Sequence, residues 1–225
     1  MSDGPAAGPT RDKVLAGAAV YTLGWLSEYD EQVLDKICLE VWRCDRAELL
    51  AGYDRNIGER HLDLGPGTGF FLDRCRHSSP RPQIALVDLN PAVLAEASER
   101  LRRFRPVTFE RDVLSPLELG GARFDSAGLN LLLHCLPGGL GHKAKVFDYA
   151  RAHVVPSGRI FGSTVLAEGV AHSTKAHELL SRLNAMGAFD NQGDSLSALE
   201  AELASRFNDY RIIVRGSVAI FEASA

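Results

Sequence analysis

The stretch Leu62-Asp63-Leu64-Gly65-Pro66-Gly67-Thr68-Gly69-Phe70 joins a short apolar run to three glycines at alternate positions, then to an aromatic pair, Phe70-Phe71. An apolar strand that ends in a glycine-rich turn and opens a helix is a ligand cradle. Glycine lets the backbone turn sharply and lets a ligand approach the main chain without Cβ obstruction. In doubly wound sheets such turns lie at the C-terminal edge of the first strand, where ligands bind. The dinucleotide fingerprint G-x-G-x-x-G requires a third glycine at position 70, which is Phe70 here.

Working outward, short apolar runs alternate with helical runs, the pattern of a parallel sheet with helices on both faces. Strands are expected at 61–64, 84–87, 108–110, 126–131 and 159–165. Helices are expected at 70–76, 91–103 and 142–153, the second opened by Pro91, whose missing N–H costs nothing in a first turn. Helices at 173–187 and 195–206 follow, then a hairpin of 210–214 and 218–221 about Arg215-Gly216-Ser217. Upstream, Val33, Leu34, Ile37, Cys38, Val41 and Trp42 recur at α-helical spacing, and a second helix spans 47–53 behind an Asp45 cap.

These motifs resemble, in order, those of the class I S-adenosylmethionine (SAM)-dependent methyltransferases. Asp63 with Gly65, Gly67 and Gly69 matches the family pattern [D/E]-x-G-x-G-x-G. Asp88 closes the second strand 25 residues after Asp63, Glu110-Arg111-Asp112-Val113 follows the third, and Asn130 ends the fourth. Val155-Pro156-Ser157-Gly158-Arg159-Ile160 is similar to the family's turn into the fifth strand. The resemblance covers residues 58–166. It implies a Rossmann-like α/β fold with a mostly parallel seven-stranded sheet and a C-terminal antiparallel hairpin. The expected organisation is a disordered tail at 1–12, an N-terminal helical cap at 13–57 and the SAM-binding domain at 58–225, with an acceptor lid at about 167–206.

The same resemblance implies roles. Asp63 would hold the SAM amino group. Gly65, Pro66, Gly67 and Gly69 would line its methionine moiety. Asp88 would accept from the ribose hydroxyls, Leu89 would lie beside the adenine, and Asp112 with Val113 would complete the adenine site. Asn130 would face the methionine end near the transferred methyl. The product would be S-adenosylhomocysteine (SAH). His134 is the candidate general base, since its ordinary pKa suits proton transfer near neutrality. Tyr21, Tyr29 and Arg43 from the cap, and His172 from the lid, are candidate acceptor contacts. A SAM-binding relative that does not methylate is the alternative.

Composition narrows the acceptor. A net charge of −4 and a pI of about 6.0 supply no field for nucleic acid. Asn130-Leu131-Leu132-Leu133 lacks the prolines and aromatic of the [D/N]-P-P-[Y/F] signature that stacks on a flipped base. A small molecule is therefore the expected acceptor. The fairly apolar stretch 14–26 is too short to span a bilayer and runs into Ser27-Glu28-Tyr29-Asp30 with no small-x-small cleavage site; it is expected to be an amphipathic helix. Cys38, Cys44, Cys75 and Cys135 fit neither a metal pattern nor a disulfide framework, so they are expected to be reduced thiols in a cytoplasmic protein. No metal is expected, and oligomeric state is open.

Overall fold

The computed structural model describes residues 23–225. The expected tail at 1–12, the start of the cap and Tyr21 lie outside the described residues. The remainder is built around a seven-stranded sheet: β1 (Arg60–Leu64), β2 (Gln83–Asp88), β3 (Val107–Glu110), β4 (Phe124–Asn130), β5 (Val154–Val165), β6 (Tyr210–Arg215) and β7 (Val218–Ser224). Its order is β3-β2-β1-β4-β5-β7-β6. The first five strands pair in parallel, and β7 joins β5 and β6 antiparallel. This is the expected topology, with each predicted strand present within a few residues.

Eight α-helices and one π-helix flank the sheet among the described residues. They are α1 (Leu23–Tyr29), the π-helix (Asp30–Val41), α2 (Arg46–Asn56), α3 (Phe70–Arg74), α4 (Pro91–Arg100), α5 (Leu140–Lys143), α6 (Lys145–Arg151), α7 (Thr174–Ala185) and α8 (Leu196–Ala204). Caps fix several of these ends. Asp45 accepts from the Ala47 N–H at 2.8 Å, and Asn90 accepts from the Ala92 N–H at 2.9 Å in front of Pro91, each satisfying a donor that the helix leaves free.

Alternation along the strands sorts side chains onto two cores. Leu62 and Leu64 of β1 enter one, with Val87, Leu129, Phe147 and Phe221. His61 and Asp63 point to the other face, where Leu34, Trp42, Tyr53, Phe161 and Phe189 pack. Strands β4 and β5 approach so closely at Gly162 that a Cβ there would stand 2.2 Å from the Leu129 carbonyl oxygen.

The segment 31–42 departs from the α-helix expected of it. The Trp42 N–H donates to the Ile37 carbonyl, five residues back, at 3.0 Å, and Lys36 pairs with Glu31 across the same interval at 2.7 Å. The wider turn buries Leu34, Cys38 and Trp42 every fourth residue and leaves Ile37 and Val41 half-buried. A π-helix this long is unusual, and such segments concentrate at functional sites. Likewise, the single helix expected at 142–153 is broken into α5 and α6 about Ala144.

Candidate functional site

A crevice of roughly 1010 Å³, counting its open mouth, lies at the C-terminal ends of β1, β2, β3 and β4. Residues that follow those ends line it: Gly65, Pro66, Gly67 and Thr68 after β1, Leu89 and Asn90 after β2, Asp112 and Val113 after β3, and Leu131 and Leu132 after β4. Asp88 and Asn130, the last residues of β2 and β4, complete this floor. Of the expected cofactor contacts, Gly65, Pro66, Gly67, Asp88, Leu89, Asp112, Val113 and Asn130 are thus brought together. Gly69 and Asp63 stand behind the surface and shape it.

The glycine turn is made by left-handed backbone. Gly65, Gly67 and Gly69 have φ of 69°, 55° and 75°, a region L side chains adopt only at a cost. The Gly65 N–H donates to the Val87 carbonyl at 2.9 Å, and the Gly69 N–H to the Pro66 carbonyl at 2.9 Å. Gly69 faces α4: a Cβ there would lie 3.3 Å from Ala97 and Leu101. A Cβ at Gly67 would meet nothing within 4 Å, so it would project into free space where the turn borders the crevice.

Beneath the turn runs a buried polar chain. The Gly58 N–H donates to Ser126 Oγ at 2.8 Å. Ser126 Oγ is hydrogen-bonded to His61 Nδ1 at 2.8 Å, and His61 Nε2 to Asp63 Oδ2 at 3.1 Å. Tyr53 Oη donates to the same oxygen at 2.8 Å. Asp63 Oδ1 is buried with no partner among the described residues. A buried carboxylate oxygen left unsatisfied is costly, so this one is prepared for a donor that the described residues do not supply. Tyr53 also lines the crevice; nothing in the helical pattern of residues 47–53 marks it, beyond the general need of a buried phenol for a partner.

Asp88 accepts from the Asn90 N–H at 2.8 Å. Burial nonetheless raises its pKa to about 6, with the Asn90 and Leu89 N–H groups acting against the rise. Asp112 accepts from the Leu114 N–H at 2.9 Å, which turns the loop and presents Val113 to the crevice. At the end of β4, Asn130 Nδ2 is buried with no partner among the described residues.

The rest of the lining is largely apolar. Tyr29 and Leu34 come from the cap, Phe70 and Phe71 from α3, and Cys135, Leu136 and Pro137 from the segment after β4. Burial holds the Tyr29 phenol protonated by raising its pKa above the ordinary tyrosine value, with Cys135, Cys38 and Asp30 adding to the rise. Asp30 fastens this wall: its Oδ1 accepts from Thr68 Oγ1 at 2.6 Å, and its Oδ2 pairs with Arg100 Nη1 at 2.6 Å.

Three candidates are not brought to the crevice. His134 is 4% exposed and sits behind the wall, where its Nδ1 accepts from the Val165 N–H at 3.1 Å and its ring lies 4.3 Å from that of Phe189. Burial, with the nearby Lys143 charge, lowers its pKa to about 3. The geometry makes it a packed, neutral acceptor and corrects the expectation of a base at the mouth. Arg43 is exposed and lies, at φ 55°, against Gly216 of the β6–β7 turn. His172 is consumed structurally: Nδ1 meets Ser217 Oγ at 2.9 Å, and Nε2 meets the Ala167 carbonyl at 3.0 Å. The Ser217 N–H, donating to the Trp42 carbonyl at 2.8 Å, ties the cap to the terminal hairpin, and His172 ties the segment after β5 to it.

The segment 167–206 contributes no lining residue to the crevice. It buttresses the wall instead. Phe189 stacks on Trp42 with centroids 6.3 Å apart. Asp190 accepts from the Gly138 N–H at 2.8 Å and donates its own N–H to the His134 carbonyl at 3.0 Å. Buried Lys143 pairs with buried Asp194 at 2.6 Å and donates to the Asp190 carbonyl at 2.7 Å.

The donor set fits an adenosyl amino acid. A carboxylate faces the crevice at the end of β2, a second polar loop follows β3, and an orphaned acceptor (Asp63 Oδ1) and donor (Asn130 Nδ2) lie beside a turn into which no Cβ intrudes.

Comparison with known proteins points the same way. Residues 62–160 match the model of a methyltransferase domain. The chain is 38% identical over 211 residues to demethylluteothin O-methyltransferase of Streptomyces thioluteus, covering 94% of this chain and 92% of that protein. It is 33% identical over 210 residues to a physcion biosynthesis cluster O-methyltransferase of Aspergillus chevalieri, covering 92% and 94%. In fold it is similar to a solved DhpI–SAH complex, with a TM-score of 0.66 and 14% identity over 96% of this chain and 98% of that one. The seven-stranded sheet, the glycine turn and these relatives together show that the chain belongs to the small-molecule branch of the class I SAM-dependent methyltransferases, which passes the methyl group of SAM to a small-molecule acceptor.

Proposed function

We propose that the acceptor is an apolar, largely planar molecule that presents an oxygen nucleophile. The observation that carries this reading is the asymmetry of the crevice. The ends of β1 to β4 bring the polar groups suited to the cofactor, and Tyr29, Leu34, Phe70, Phe71, Leu136 and Pro137 make the rest of the lining largely apolar. Such a lining recognises flat apolar surface by burial and ring stacking. The two relatives described above are named as O-methyltransferases, which supports oxygen as the methylated atom.

In this reading Asp88 holds the ribose, Leu89 and Val113 flank the adenine with Asp112 at its edge, and the 65–69 turn with Asp63 and Asn130 holds the amino-acid tail. When bound, SAM supplies a methyl group already activated by its sulfonium centre. A phenolic or enolic hydroxyl on the acceptor gives its proton up to solvent, so no protein base is required, and the work left to the protein is alignment and exclusion of water, for which the cap residues Tyr29 and Leu34 close one side. Tyr29, held as a neutral phenol, presents ring surface to the acceptor. His134, Arg43 and His172 carry no step. The described part of the cap contributes Tyr29, Leu34 and Tyr53 to the crevice, and 167–206 packs behind it rather than closing over it. No helix among the described residues is long and apolar enough to cross a membrane. The buried thiols of Cys38, Cys44 and Cys75, each raised to about 12 chiefly by burial, suit a reducing cytoplasm.

The test is a panel of flat hydroxylated acceptors, with amine and thiol counterparts, incubated with SAM and read by mass spectrometry and NMR of the product. The expected product is a methyl ether. Transfer confined to nitrogen or carbon would contradict the proposal.

A further inference from the structure

Ser163 lies in β5, register partner of Asn130 in β4, and is fully buried. Its hydroxyl accepts from the Leu131 N–H at 3.2 Å and contacts Asn130 Oδ1 at 2.5 Å. These are its hydrogen-bond partners in the structure. A buried hydroxyl proton needs an acceptor, and the Asn130 amide is the group within reach that offers one. The proton therefore goes to the amide oxygen. That fixes the amide's orientation, with the oxygen toward Ser163 and the NH2 away from it, where it is buried and unpartnered. The same serine steadies Leu131, whose φ of 54° is a strained value for a leucine; the Leu131 N–H also donates to the Ser163 carbonyl at 2.9 Å.

We infer that Ser163 is a positioning residue for cofactor binding. It turns the Asn130 amide so that Nδ2 serves as a donor to the carboxylate of the cofactor's amino-acid tail. Asn130 shares a sheet face with Asp63, because Asp63 pairs in register with Gly128 and Asn130 is two residues further on. The two orphaned atoms on that face, an acceptor and a donor, match the ammonium and carboxylate of one α-amino acid. The inference rests on the placement of the cofactor proposed above. Its claim is separate: a buried serine, with no contact to the ligand, sets which end of an amide the ligand meets.

The experiment compares SAH with 5′-methylthioadenosine, which keeps the nucleoside and lacks the amino-acid tail, by calorimetric titration. Ser163→Ala is expected to weaken SAH by roughly tenfold, the usual scale for one buried hydrogen bond to a charged group, and to leave 5′-methylthioadenosine within about twofold. The variant keeps the Leu131–Ser163 backbone bond, so the strand pairing stands, and thermal unfolding checks this. Asn130→Asp, a near-isosteric change that sets a carboxylate where the amide NH2 was, is expected to weaken SAH further than Asn130→Ala does. An unchanged SAH affinity in Ser163→Ala, parallel weakening of both ligands, or tighter SAH binding by Asn130→Asp would overturn the assignment alone. Failure of the wild-type protein to bind SAH would overturn the cofactor placement with it.

Discussion

Thr68, within the glycine turn, donates its hydroxyl to Asp30 at the start of the π-helix over 2.6 Å, so the cap and the cofactor cradle are fastened to one another beside the crevice. Arg100 completes the clasp, reaching Asp30 at 2.6 Å and Thr68 at 3.2 Å. The wall that carries Tyr29 and Leu34 is therefore coupled to the turn on the crevice floor.

Breaking that clasp should loosen the cap before it unfolds the domain. Asp30→Ala removes two charge-assisted hydrogen bonds and is expected to cost about 1–2 kcal/mol at this half-exposed site. Hydrogen exchange should quicken across residues 23–41, and SAH affinity should fall several-fold. Unaltered exchange in that segment would show that the clasp does not restrain the cap.

The affinity for SAH should depend on pH through Asp88. Its pKa is about 6 in the free protein because burial disfavours the carboxylate. Ribose hydroxyls donate to the ionised form and would pull the value down, so binding favours ionisation. Affinity is then level above about pH 7 and weakens toward tenfold per unit once pH falls well below 6. Asp88→Asn should bind SAH more weakly at pH 7.5 and lose this acid limb. Calorimetry from pH 5 to 8 reads both; a persisting limb in the variant assigns it to another group.

His134 should govern stability and leave the chemistry's pH profile alone. Its folded pKa, about 3, lies below the ordinary histidine value of about 6.5. The stability linked to its neutral form is complete above about pH 6.5 and is lost progressively as pH falls toward 3. His134→Ala opens a cavity against Phe189 and orphans the Val165 N–H, at a cost of roughly 2–4 kcal/mol. Denaturant melts at pH 7.5 and 5.5 should show that cost shrinking at the lower pH. Turnover that drops a hundredfold in a fully folded variant would return His134 to the mechanism.

Gly67→Ala separates the cradle from the scaffold. With φ 55° and open space around a Cβ, the folded protein pays only for left-handed backbone, about 1–2 kcal/mol. The added methyl borders the cofactor's space, so SAH affinity is expected to fall at least tenfold. Gly162→Ala provides the contrast: its Cβ would meet the Leu129 carbonyl at 2.2 Å, and the expected outcome is loss of folded protein. Equal behaviour of the two variants would argue against a cofactor bordering Gly67.

The sheet was legible in the sequence because short strand-like runs alternate with helical ones; the clearest, Ile84, Ala85, Leu86 and Val87 of β2, is buried throughout. The crevice residues at the strand ends were legible because glycine spacing and strand-end acids are local signals. The acceptor side was not. His134 and Asn130 are four residues apart, yet the left-handed Leu131 and the short helical turn Leu133–Cys135 turn one toward Phe189 and leave the other at the crevice. A single sequence does not register that reversal. Tyr53, Asp30 and Ser163 act across long separations, through partners at 63, 68 and 130, which no spacing rule links. The π-helix escaped because 34, 38 and 42 also fit an α-helical stripe.

The most direct measurement is a titration of SAH into the wild-type protein and into Asp88→Ala, followed at pH 7.5. One-site binding by the wild type, weakened at least thirtyfold in a folded Asp88→Ala, is the expected result. Equal affinity in the two proteins would place the adenosyl group somewhere other than the crevice between Gly65 and Asp88, and would contradict the account.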